Sequence, residues 1–61
     1  MLTPYDLFRK DSTGNPIWIG TAEDISQAKT RLEIFASAKP GIYQIYDHRV
    51  AKFIETLAKS A

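Results

Sequence analysis

Cysteine is absent from this chain of 61 residues, and histidine, methionine and tryptophan occur once each. Without a thiol there is no disulfide and no thiolate metal centre, and a lone His48 cannot assemble a structural zinc site of the ordinary type. No metal and no cofactor is therefore expected. Glycine is scarce as well: Gly14, Gly20 and Gly41 stand far apart, each at the boundary of a patterned segment, which excludes a glycine-rich phosphate loop. No apolar run approaches the ~20 residues needed to cross a bilayer. The opening stretch MLTPYDLFRKD lacks the basic region, apolar core and cleavage site of a signal peptide. An excess of charge of one sign is missing too. Eight basic side chains against seven acidic ones give a net charge of +1, and the basic residues are spread from Arg9 to Lys59. Broad electrostatic attraction to nucleic acid or to an anionic membrane does not follow from such a balance. The expectation is one small cytoplasmic domain, residues 1–61, without a membrane segment. A chain of this length buries only about 60% of its extended surface, so any surface shared with a partner matters to it.

What is present begins with one long periodic segment, Thr21 to Lys39. Ile25, Ala28, Leu32, Phe35 and Ala36 recur at helical spacing and form one apolar stripe, while Gln27, Thr30, Arg31, Glu33 and Ser37 lie away from its centre. The spacing predicts a helix over about 22–38. Thr21 with Asp24 three residues on fits a capping box, and Asp24 with Gln27 is the rival start. Pro40-Gly41 stops the helix, because proline has no amide to donate and restricts the residue before it. Ile34 falls nearly opposite the stripe.

Before the helix, Tyr5 to Lys10 and Ile17 to Ile19 carry strand-favouring residues around the turn-forming run Asp11-Ser12-Thr13-Gly14-Asn15-Pro16, which predicts a β-hairpin. After it, Ile42 to Tyr46 reads as a third strand. The helix is expected to cover Leu7, Ile17, Ile19 and Ile45, with Tyr5 and Tyr43 flanking. Phe8, Trp18 and Tyr46 are then left together on the opposite side of the sheet.

The last segment, Val50 to Ala61, is ambiguous. Val50, Phe53, Ile54, Leu57 and Ala58 match the i, i+3, i+4, i+7, i+8 pattern of a helix that would lie across the three aromatic residues. The competing reading is a fourth strand from Val50 to Thr56, paired with the third through Asp47-His48-Arg49; poor alternation and a turn without Gly or Asn count against it. The helix is the preferred reading. The expected fold is thus α+β, a small three-stranded antiparallel or mixed sheet in the order β-β-α-β-α, with a fourth strand as the alternative.

Chemistry is sparse. Ser12 and Thr13 read as turn residues, Ser26 and Ser37 as solvent-facing helical positions, and Glu23 with Asp24 as first-turn carboxylates suited to the helix dipole. Tyr46-Asp47-His48-Arg49 is the densest polar group and reads first as a charged turn. No catalytic residue is assigned, and an enzyme is not expected. The expected function is a protein-interaction or self-association module using Phe8, Trp18, Tyr46, Arg49 and Phe53, with a second copy or a small protein as partner. The alternative is weak binding of single-stranded nucleic acid through the aromatic face, disfavoured by the near-neutral charge.

Overall fold

A computed structural model describes residues 3–59. The elements are β1 (Tyr5–Lys10), β2 (Pro16–Ala22), α1 (Ile25–Ala38), β3 (Gly41–Asp47) and β4 (Lys52–Lys59). All four strands join one antiparallel sheet in the order β2-β1-β3-β4, so β1 and β3 are central and β2 and β4 are its edges. The α+β class and the placing of the first helix on one face hold. The three-stranded sheet and the C-terminal helix do not, because the last segment is the fourth strand.

The β1–β2 connection is built by Asp11. Its carboxylate accepts from the backbone amides of Thr13 and Asn15, both at 2.9 Å, and its carbonyl accepts from Gly14 at 3.0 Å. Gly14 takes φ 88°, a left-handed conformation that glycine adopts without a steric penalty.

The helix starts three residues later than the Thr21 reading, at Ile25. Thr21 is held in the β1–β2 ladder opposite Asp6, which makes it a strand residue rather than a cap. Asp24 takes that role: its side chain accepts from the amide of Gln27 at 2.7 Å, and Gln27 Oε1 accepts from the amide of Glu23 at 2.8 Å. At the other end the Lys39 amide donates to the Phe35 carbonyl at 2.8 Å. The Tyr43 hydroxyl reaches the carbonyls of Phe35, at 3.2 Å, and Lys39. Buried Tyr43 thereby ties β3 to the end of the helix, adding a donor to carbonyls at and beyond its last turn.

The core lies between α1 and one sheet face. Leu7 and Ile45 sit directly opposite each other on β1 and β3, both without exposed surface, beneath Ala28, Leu32 and Ala36 of the helix. Tyr5, Ala22 and Tyr43 complete it. Tyr43 is a central core residue rather than a flanking one. Ile17 and Phe35, both expected in this layer, are exposed, and Ile19 is partly buried against the core.

The fate of the C-terminal segment has a local cause. β3 offers a full edge, and β4 pairs along its whole length, from Gly41 opposite Lys59 to Asp47 opposite Lys52. The turn does without Gly or Asn because Asp47 Oδ1 accepts from the Arg49 amide at 2.8 Å and Ala51 adopts φ 55°. The helix-like spacing comes from a bulge. Tyr46 pairs with Phe53 but Ile45 pairs with Glu55, which leaves Ile54 as an extra residue and shifts the side-chain alternation by one.

Candidate functional site

Alternation along the strands sends every second side chain away from the helix. From β1 these are Asp6, Phe8 and Lys10; from β3 they are Ile42, Gln44 and Tyr46. Two bulges add aromatic residues to that face. On β2, Trp18 pairs with Phe8 while Gly20 pairs with Leu7, so Ile19 is the extra residue. On β4, Phe53 pairs with Tyr46 as described.

The result is a connected group of rings. Phe8 and Phe53 lie 5.7 Å apart between centroids, Tyr46 and Phe53 5.1 Å, and Phe8 and Tyr46 6.5 Å, all edge to face. His48 adds a fourth ring at 5.1 Å from Tyr46. Edge-to-face contacts of this kind each contribute about 0.5–1.5 kcal/mol beyond area burial. No element among the described residues closes over the group: Trp18 is 58% exposed and Phe53 44%, with Phe8 and Tyr46 partly buried.

Asp6 organises the polar end of the face. Trp18 Nε1 donates to Asp6 Oδ1 at 3.3 Å, and His48 Nε2 is bonded to Asp6 Oδ2. A carboxylate can only accept, so Nε2 carries the hydrogen. These bonds hold the indole and the imidazole in place without closing the surface over them.

The polar run Tyr46-Asp47-His48-Arg49 is divided between the two sides of the sheet. Tyr46 and His48 join the open face, while Asp47, only 6% exposed, points into the helix side. There Arg49 donates to Asp47 through Nε at 3.2 Å and through an NH2 nitrogen at 3.1 Å, and that same nitrogen donates to the Tyr5 hydroxyl. The guanidinium carbon also lies 5.1 Å from the Tyr5 ring centroid. The hydrogen bond from Arg49 outweighs burial and holds the Asp47 carboxyl below the usual carboxylate range. Arg49 is therefore a clamp on the β3–β4 turn, away from the aromatic group, whereas Phe8, Trp18, Tyr46 and Phe53 do come together. Sequence reading missed Asp6 and His48 as members of the face, and β1 alternation was the signal that could have supplied Asp6.

A second apolar patch lies on the other side of the molecule. Leu7, Ile19, Ile34 and Phe35 line a cleft between β2 and α1, with Ile34 65% exposed and Arg31 donating to the Thr21 carbonyl at its rim. Among the described residues there is no group of three or more His, Cys, Asp or Glu side chains that could hold a metal ion, and no helix long and apolar enough to cross a membrane.

No family model, curated protein or solved structure matches the chain.

Proposed function

We propose that the chain is a protein-interaction module whose contact surface is the open sheet face. The observation that supports this reading is the group of Phe8, Trp18, Tyr46 and Phe53, held in mutual contact or cross-strand register yet left without a covering layer. Aromatic residues with a polar handle are the usual anchors of interfaces, and a contiguous exposed apolar surface on a small protein marks a place of contact. The free strand edges are poorer candidates. Pro16 opens β2 and a bulge interrupts it, while Lys52, Lys59 and a bulge guard β4, the devices by which strand edges are kept from pairing. The absence of cysteine suits the reducing cytosol in which such a module is expected to work.

In-cell photo-crosslinking tests the reading. A photoreactive phenylalanine analogue at position 18 should give a discrete protein adduct, and the same analogue in place of exposed Ser37 on α1 should give none. Equal or absent adducts at both positions would remove the module. Single-stranded nucleic acid is the competing occupant. Binding there would show as salt-sensitive quenching of Trp18. Lys10 is the only basic side chain that the alternation of β1 and β3 places on the face, so the expected result is no quenching.

A further inference from the structure

The partner of the open face can be identified further, on the basis that the face is a contact surface. We infer that it takes a second copy of the same chain, stacked sheet to sheet about a two-fold axis that runs across the strands near Phe8 and Gln44.

Three features of the face lead there. The first is size. The molecule measures 34 × 22 × 15 Å, and a face spanning the two longer dimensions offers each copy on the order of 700 Å², close to the roughly 800 Å² per partner of a standard stable interface. The second is charge. On β1 the face reads Asp6, Phe8, Lys10, and a two-fold axis across the strands reverses the strand in the second copy. Asp6 of each copy then lies over Lys10 of the other, with Phe8 over Phe8 between them. The third is shape. Register places Phe8 beside Gln44, Tyr46 beside Phe53, and Ile42 beside Ala58. The same rotation therefore sets the bulky Tyr46–Phe53 end of one copy against the Ile42–Ala58 end of the other. Large side chains meet smaller ones, as close packing of two sheets about 10 Å apart requires. Stacking in which β1 lies over β1 without reversal would instead set Asp6 on Asp6 and Lys10 on Lys10. The charge pattern favours the reversed arrangement.

Sedimentation equilibrium of the full chain from low to high micromolar concentration should give twice the chain mass. Asp6→Lys and Lys10→Asp each place like charges at both ends of β1. Each should weaken the dimer more than tenfold, since facing like charges in an interface cost several kcal/mol. Mixing the two variants should restore the dimer, because every facing pair is then opposite in sign. A further measurement does not depend on those variants folding. In this cysteine-free background, Gln44→Cys lies near the axis and should be joined to itself by a short bismaleimide, whereas Ser37→Cys on the exposed side of α1 should not. A wild-type chain that stays monomeric at high micromolar concentration would overturn the dimer. So would charge variants that keep wild-type association, a mixture that fails to recover it, or Gln44→Cys that joins no better than Ser37→Cys. A monomer that still forms an adduct with another protein from position 18 in cells would overturn the second copy and leave the module standing. A monomer with no adduct would overturn both.

Discussion

On the helix side of the sheet, Leu7 and Ile45 pack with Leu32 with almost no surface left to solvent; one residue along the same strands, Phe8 and Tyr46 join the rings of the open side and stay only partly buried. The two faces share four strands and a common register, yet one is closed by α1 and the other is built of side chains just as large and left half-exposed. Core-sized residues without a core differ from scattered surface aromatics, because here the rings are already packed on one another. The comparison locates stability on the first face and leaves the second for the proposed contact. Its energetic half can be tested by substitution.

The largest expected effect is on the closed face. Leu32→Ala should lower the unfolding free energy by about 2–5 kcal/mol, the range for truncating a buried leucine, while Phe53→Ser on the open face, measured on dilute monomer, should lose about 1–3 kcal/mol with its two edge-to-face contacts. Urea midpoints for the two would decide it; equal losses would mean that the open face is as much a part of the core as the closed one. Tyr43→Phe comes next. It keeps the buried ring but removes the hydroxyl that reaches the Phe35 and Lys39 carbonyls, and should cost about 0.5–1.5 kcal/mol, read as a lower thermal midpoint. Ala51→Gly should act in the opposite direction, raising stability by up to about 1 kcal/mol, because φ 55° penalises the alanine Cβ. Ile34→Ala, exposed on α1, should stay within about 0.5 kcal/mol of wild type.

Acid should act through two carboxylates outside the aromatic group. Asp47, bonded to Arg49, and Asp11, bonded first to the Thr13 hydroxyl, both have their pKa lowered by folding. A lowered carboxylate pKa stabilises the fold above the unfolded value of about 4, and that contribution is lost as pH falls through the folded pKa. Thermal midpoints should decline progressively from about pH 4 downward, and Arg49→Met should flatten the decline by removing the Asp47 share.

Much of this was legible in the residues. Leu7, Ile45 and Leu32 in the core, Phe8, Trp18 and Tyr46 across the sheet from them, and the stop at Pro40 all follow from period and turn chemistry. Two of the departures, the C-terminal helix and the Thr21 cap, go with the two bulges. A bulge inserts one residue and reverses the alternation beyond it, so a strand that crosses one no longer looks like a strand in sequence. In β4 the step from Phe53 past Ile54 to Glu55 turns a two-residue period into something close to a helical one and hides the strand, although Phe53 is still expected beside the aromatic group. In β2 the step at Ile19 let the strand run on to Ala22, and Thr21 was mistaken for a helix cap. A local pattern cannot reveal the unpaired edge of β3 that made a fourth strand favourable, because that edge exists only once the sheet has formed.

The strand order also sets how the chain must fold in time. β1–β2 and β3–β4 are each hairpins between neighbours in sequence, and both can close within about 1–10 μs. The central pairing is different: Tyr5 meets Asp47 and Leu7 meets Ile45 across the whole of β2 and α1, which lie between them in the chain. Joining the two hairpins closes the longest chain separation between paired strands, so the Leu7–Ile45 seam is the contact expected to limit the folding rate. A substitution there should slow folding, and one at Phe53 should chiefly speed unfolding, as denaturant-jump kinetics would read.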